Sequence, residues 1–277
     1  MPEGDTIHRA ARTLHRALAG QVVTAFESVY PHLTRVHDDQ PITGRTMERV
    51  SALGKHVLMA FSGPGDALVL RTHMRMNGSW HIYRPGERWQ RGRGDMRVLV
   101  ATAGFVAVAF NVPVAEWLTL RDMERHGELT KLGPDLLAGD FDACEATRRL
   151  RARTGTDVAD ALLNQRVMAG VGNVYKSEVL FACRVNPFVT VSSLTDQQVD
   201  CLVRTARRFL QANVTEGRAA MTTYMGFRRT TNRDSPSDRL WVYGRAGEPC
   251  SRCGTSIQMR KQGRDARLTY WCPACQP

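Results

Sequence analysis

The sequence predicts an α+β chain in several parts: a strand-rich N-terminal half behind one helix, a helical middle, and a small cysteine-rich ribbon at the C-terminus. Three observations predict it. Apolar residues recur at helical spacing over residues 5–19, then give way to short β-branched runs up to about residue 120. Helical spacing returns between about residues 141 and 213. Four cysteines then close the chain as CSRC (250–253) and CPAC (272–275).

In the first helix Ile7, Ala10, Ala11, Leu14, Ala17 and Leu18 form one apolar face, with Asp5 expected as its cap and Gly20 as its stop. VVTAF, HVLMAF, ALVLRTHM, SWHIYR, MRVLVAT and GFVAVAF read as strands at a spacing that suits a β-sandwich or a barrel. PGERWQRGRGD (85–95) reads as a long polar hairpin loop. Residues 121–140 read as a helix and a linker punctuated by GPD. Further helices are expected from near Phe141, over TDVADALLN, over NVYKSEVLFA and over TDQQVDCLVRTARRFLQAN. From Glu216 to about Asp238 there is no periodicity, and a loop is expected.

The net charge of +11 is unevenly placed: residues 1–144 hold 17 basic against 16 acidic side chains, residues 145–277 hold 21 against 11. A basic half of that kind suggests a polyanion partner, most simply nucleic acid. Only four of the 38 basic residues are lysines, at 55, 131, 176 and 261, which hints that a compact amine is wanted at each. No run approaches the roughly 18 apolar residues of a membrane span. The first 20 residues are too charged for a signal peptide. The expectation is a cytoplasmic protein with no membrane partner, and a monomer, since no unexplained apolar stripe suggests a dimer seam.

Of seven cysteines, Cys144, Cys183 and Cys201 are scattered, and an odd count argues against a disulfide framework. Cys250, Cys253, Cys272 and Cys275 have the spacing of a four-thiolate zinc ribbon, one structural ion with no open position. Between the pairs, Arg260, Lys261, Arg264 and Arg267 lie on an expected β-hairpin. They read either as a solvated basic face or as a tip that enters a nucleic-acid groove. In LLNQRVMAGVGNVYKSEVLF (162–181), two helical stretches flank Gly170 and Gly172, with Asn173 beginning the second. This reads either as an ordinary helical corner or as a phosphate clamp, in which glycines admit the backbone and new helix N–H groups point at the anion.

PEG at 2–4, RAA at 9–11, GKHVLM at 54–59 and HMRMNGSW at 73–80 recur here in order. LGPD at 132–135, LLNQRVMAGVGNVYKSEVL at 162–180, GEPCSRCG and YWCPACQ follow. In this ordered set the chain resembles, over nearly its whole length, the formamidopyrimidine-DNA glycosylase/endonuclease VIII (Fpg/Nei) family. The resemblance implies an N-terminal β-sandwich catalytic domain (2–125) and a helical domain (126–240) with a helix-two-turn-helix at about 157–182. A zinc finger (241–277) completes it, with damaged DNA between the domains and a nucleoid-associated location.

The resemblance also implies roles. Pro2, exposed as a secondary amine once Met1 is removed, is the nucleophile, and Glu3 its acid/base partner. An α-amino group has a reference pKa of about 7.7–8.0, so a neutral fraction exists near pH 7. Lys55 matches a lysine beside the lesion phosphate, and Arg267 the finger arginine, with Arg264 its rival. Gly172 and Asn173 match the phosphate-binding turn, and Lys131 a basic DNA-contacting position. Arg75, Met76 and Asn77 match the loop that fills the void left by a flipped base.

Two departures stand out. Asp5 and Thr6 replace the proline and glutamate common in the family. FNVPVAEW (110–117) lacks the arginine-phenylalanine wedge of the 8-oxoguanine-directed branch, which points to the endonuclease VIII branch and oxidised pyrimidines, although Met76 resembles the other branch. The expected activity is therefore a bifunctional glycosylase/AP lyase acting by β,δ-elimination. The competing readings are an 8-oxoguanine enzyme of the same fold and a non-catalytic zinc-ribbon protein that binds damaged DNA.

Overall fold

A computed structural model describes residues 2–63, 65–215, 228–231 and 239–277. They form two compact units, one within residues 2–131 and one of residues 132–215 with 228–231 and 239–277. Among the described residues no helix is long and apolar enough to cross a membrane. Most of the aperiodic stretch 216–238 lies outside the described residues.

The first unit is a β-sandwich behind helix α1 (Gly4–Leu18). One antiparallel sheet runs β2 (Thr46–Leu53), β3 (His56–Ser62), β4 (Leu68–His73), β8 (Val114–Thr119). The other has the order β1 (Val23–Ser28), β6 (Met96–Thr102), β7 (Val106–Phe110), β5 (Ser79–Tyr83). Their inner faces share one core: Met47, Val57 and Leu70 from the first sheet meet Phe26, Ile82 and Val100 from the second, with Ile7 and Leu14 of α1. The indole of Trp80 in β5 donates to Thr72 Oγ1 in β4 at 3.0 Å, so the one polar atom of that ring is satisfied inside the core.

Three expectations are corrected here. Asp5 does not cap α1: Glu3 is the N-cap residue, no side chain caps the helix, and Asp5 lies inside the first turn. Residues 85–95 are not a hairpin loop, because β5 and β6 are separated by β7. The segment instead places Trp89 against Tyr83 and Phe110 on the outer face of the second sheet, with ring centroids 6.3 and 5.7 Å away. An apolar outer face needs a cover, and that need is invisible in a polar-looking loop. Finally, the strand-rich half also holds helix α2 (Pro31–Asp39), started by Pro31 at its first turn. The helix expected at the start of 121–140 is present as a short α3 (Leu120–Arg125) with a Thr119–Asp122 capping box.

The second unit packs α4 (Ala143–Arg151), α5 (Val158–Leu163), α6 (Asn173–Ala182) and α7 (Asp196–Thr215) round a core that includes Leu150, Leu162, Tyr175 and Leu202. Cys183, at the end of α6, and Cys201, in α7, are joined by a disulfide, which overturns the reading of them as scattered thiols. They are 18 residues apart in sequence, yet the packing of α6 on α7 brings their Cα atoms to 5.9 Å. The ribbon hairpin, β9 (Gln258–Gln262) and β10 (Arg267–Trp271), belongs to this unit and shares a small core with Phe181 of α6.

Glu178 of α6 lies at the root of that association. Its buried carboxylate accepts the backbone N–H groups of Trp241, Val242 and Tyr243 at 2.7, 2.9 and 2.9 Å, and also the Thr230 hydroxyl. Four donors on one carboxylate hold the chain that leads into the ribbon.

Candidate active site and nucleic-acid interface

In the first unit the sheet and helix geometry collects most of the nominated residues at one end. Gly20 N–H donates to Met47 O at 2.8 Å, and Val50 N–H donates to His15 Nδ1 at 3.2 Å, so α1 runs antiparallel along β2. With a rise of about 1.5 Å per residue in the helix and about 3.3 Å in the strand, the start of α1 lies level with the end of β2. That end carries Pro2, half-buried, and Glu3, fully buried. Lys55 sits there too, in the two-residue turn between Leu53 and His56 that Gly54 makes with φ +57°.

Residues 75–77 reach the same end, because His56, which follows Lys55, is paired in register with His73, the last residue of β4. The loop Met74–Gly78 is closed by Gly78 N–H donating to Met74 O at 2.9 Å. A Cβ at Gly78 would lie 2.5 Å from that oxygen, so glycine is required. Arg75, Met76 and Asn77 are thrown outward; Met76 is 50% exposed, which places it at the surface rather than in the core. The loop borders a cleft of about 600 Å³ whose other wall includes Tyr30, Arg97, Asn111 and Pro113. Lys131 is exposed at the end of this unit.

The structure supplies a physical account of Asp5. Its carboxylate is fully buried and faces the Arg9 guanidinium at 3.1 Å, one turn on, while the Thr6 hydroxyl donates to it at 3.3 Å. An acid in the first turn followed by a base four residues later is the favourable order for a helix. Arg9→Ala removes this ion pair from a buried carboxylate, and we expect a loss of about 3 kcal/mol in stability, read as a fall in the urea midpoint. Asp5→Asn, which keeps the shape, should cost less.

Behind the loop lies a charged cluster that the sequence did not reveal. Arg71, 3% exposed in β4, donates to Glu116, to Glu128 and, at 3.3 Å, to His56 Nδ1. Glu116 also meets His126 at 3.0 Å. Burial, then the charges of Arg71 and its neighbours, pushes His56 down to about 2; burial, then Arg75, Lys55 and Arg71, pushes His73 down to about 4. Both rings are thus neutral when folded, whereas an unfolded histidine takes up a proton below pH about 6.5. The stability they represent is full above that pH and is lost as pH falls toward 4 and below. Urea unfolding should therefore show a decrease of roughly 2–4 kcal/mol between about pH 7.5 and about pH 5.

In the second unit the turn between α5 and α6 is stapled by one side chain. Gln165 Nε2 donates to Leu163 O at 2.8 Å and Val171 O at 3.0 Å, and its Oε1 accepts Gly170 N–H at 3.0 Å. The LGPD segment lies on this turn, with Gly133 N–H on Gln165 O at 2.8 Å and Ala169 N–H on Pro134 O at 2.9 Å. A Cβ at Gly133 would run into the Val167 carbonyl. Gly172 is the N-cap residue of α6 and Asn173 its first residue. Asn173 is 6% exposed: its Nδ2 donates to Leu268 O at 2.8 Å, and its Oδ1 is buried with no hydrogen-bond partner among the described residues. Lys176, 1% exposed, donates to the same Leu268 carbonyl at 3.2 Å and to Thr269 Oγ1 at 2.8 Å.

Asn173 and the strand that begins with Arg267 are therefore brought together, Leu268 being the next residue of that strand. Arg267 is 40% exposed and 3.8 Å from Asp265, while Arg264 is exposed in the hairpin turn. The sulfur atoms of Cys250, Cys253, Cys272 and Cys275 all lie within 4.8 Å of one another, and Arg252 N–H donates to Cys250 Sγ at 3.4 Å. Four thiolates on two tight turns fit one tetrahedral zinc with no open position.

A sandwich with an N-terminal Pro-Glu, a helix-two-turn-helix and a four-cysteine finger defines a class of base-excision-repair enzyme, the DNA glycosylase/AP lyases. Three family models match consecutive stretches: the formamidopyrimidine-DNA glycosylase N-terminal domain at residues 1–128, its H2TH domain at 132–225, and the zinc finger found in FPG and IleRS at 247–277. The chain belongs to the Fpg/Nei family of DNA glycosylase/AP lyases.

It is 41% identical to the probable endonuclease 8 2 of Streptomyces coelicolor, covering all of this chain and 94% of that protein. It is 37% identical to the DNA-(apurinic or apyrimidinic site) lyase Nei2 of Mycolicibacterium smegmatis, covering 100% and 99%. Among solved structures it is similar to a complex between the Lactococcus lactis Fpg and DNA containing an abasic site, with TM-score 0.82, 27% identity and 99% of each chain covered.

Proposed function

We propose that this enzyme removes oxidised pyrimidines from DNA through a Schiff base on Pro2 and then cleaves the strand by β,δ-elimination. The observation that carries the proposal is the convergence of Pro2, Glu3, Lys55 and the Arg75–Asn77 loop at one end of the first unit. Identity to endonuclease 8 proteins and the absence of an arginine-phenylalanine wedge in FNVPVAEW support the pyrimidine class.

The proposed chemistry follows from the residue types. With Met1 removed, the Pro2 nitrogen lone pair attacks the deoxyribose C1′, and the damaged base leaves with the glycosidic electron pair. The amine gives up its N–H proton to the departing base and Glu3 protonates the ring oxygen, so the sugar opens to an iminium. A secondary amine gives an iminium with no N–H to lose; its charge persists and draws electrons as C2′ is deprotonated and the 3′ and then the 5′ phosphate depart. Lys55 and Arg267 stabilise those leaving phosphates, and Lys131, Gly172 and Asn173 hold the backbone. Met76 fills the duplex, flanked by Arg75 and Asn77. Zinc, held by the four cysteines, supplies structure and no reacting group. A cytoplasmic, nucleoid-associated monomer is the corresponding reading.

The test is borohydride trapping and single-turnover excision by Met1-free protein on DNA bearing 5-hydroxycytosine, thymine glycol or 8-oxoguanine. A covalent adduct, formed fastest on the pyrimidine lesions, is expected. Fastest excision of 8-oxoguanine would overturn the lesion class, and absence of any adduct would overturn the Schiff base.

A further inference from the structure

The loop that carries Met76 leaves β4 through an unusual backbone. Arg75 has φ +50°, a left-handed conformation that a side chain with a Cβ adopts only when something holds it there. The holder is visible: Arg75 N–H donates to His73 Nδ1 at 3.0 Å. That bond requires an unprotonated Nδ1, with the ring proton on Nε2. Burial and the nearby Arg75, Lys55 and Arg71 charges keep the ring neutral, against an opposing pull from Glu128.

The ring is itself held in place. It meets His56 edge-on, with centroids 4.7 Å apart, and His56 is oriented by the Arg71 Nε–H it accepts. Arg71 is in turn tied to Glu116 and Glu128. His73 thus has a set orientation, a lone pair aimed at the Arg75 amide, and no part in the chemistry proposed above.

We propose that His73 is a positioning residue: its Nδ1 latches the Arg75 backbone in the left-handed turn that presents Met76 to the DNA stack. The proposal rests on the reading of residues 75–77 as the void-filling loop. It sets a requirement for an acceptor two residues before Arg75, a geometry that an asparagine side chain also satisfies by bonding the backbone two residues on.

The experiment compares His73→Phe, which keeps a ring but no acceptor, with His73→Asn, which restores one, and with Met76→Ala. Hydrogen exchange of the Arg75 amide in the free protein reads the latch directly. Stopped-flow fluorescence of 2-aminopurine beside an abasic-site analogue in duplex DNA reads loop insertion. Borohydride trapping on single-stranded abasic DNA reads the chemistry where there is no stack to fill.

His73→Phe should lose Arg75 protection and slow the duplex phase by about tenfold or more, with wild-type trapping on the single strand; His73→Asn should recover both losses to within about threefold. Should His73→Phe not fold, His73→Leu takes its place. Wild-type Arg75 protection in the acceptor-less variant overturns the latch, as does an equal defect in the Asn variant. A slowed single-strand reaction moves the role of His73 to the reacting end and overturns the proposal. If Met76→Ala is slow while His73→Phe is normal, the latch alone fails. If both are normal in the duplex phase, the void-filling reading fails and the functional half of the proposal falls with it.

Discussion

Protein that keeps Met1, or any tag residue, ahead of Pro2 is expected to form no borohydride-stable adduct with abasic DNA and to lose strand cleavage by roughly 10³-fold or more. The reason is electronic. An acylated proline nitrogen shares its lone pair with a carbonyl and has no nucleophilic pair to offer C1′, whatever the surrounding fold does. Unfolding curves of the extended and the Met1-free protein should coincide, since Pro2 precedes the N-cap and only half of it is buried. Pro2→Gly separates nucleophile from electron sink. Its primary amine can still form an imine, but that imine can lose its N–H and its charge, so trapping should survive while elimination slows. Full cleavage by mass-verified Met1-retaining protein would refute the assignment of the nucleophile.

The second large effect is expected at the finger. Cys272 is fully buried, and its ribbon has a core of only a few side chains, among them Val242, Ile257 and Tyr270 with Phe181. A structural zinc contributes about 10–16 kcal/mol to folding in comparable small domains, far more than such a core can. Cys272→Ala should lower the zinc content from about one to zero per chain, strip hydrogen-exchange protection from β9 and β10, and abolish tight binding to abasic DNA. Cys144→Ala, which removes an exposed thiol elsewhere, serves as the control and should change none of these. Retention of stoichiometric zinc and a protected hairpin by Cys272→Ala would show that the four sulfurs are not one site.

Local signals were legible where a short stretch carries its own reason. The period of α1, the β-branched runs of six strands, the apolar faces of α5, α6 and α7, and the spacing of CSRC and CPAC each follow from residues close together in the chain. Strands β2 and β8 were not legible, because TMERVSAL and VAEWLT mix charged and apolar residues and become strands through their partners β3 and β4. The same holds for α2, a nine-residue segment that Pro31 starts and Leu33 anchors in the core.

The candidate site divides in the same way. Pro2, Glu3, Lys55, Met76 and the zinc cysteines could be nominated because ordered motifs mark them. Buried polar contacts between distant residues could not. Arg71 finds Glu116 and Glu128 some 45 and 57 positions on, Lys176 finds Thr269 at a separation of 93, and Cys183 meets Cys201 only because α6 packs on α7. The Arg71 and Lys176 contacts lower the cost of burying a charge, and that cost exists only once a chain has closed around it; the disulfide needs two helices already side by side. Asp5 shows both levels at once. Its place in the first helical turn is written in the sequence, but its isolation from water beside Arg9 is a property of the fold alone, since burial depends on what the rest of the sandwich puts over it.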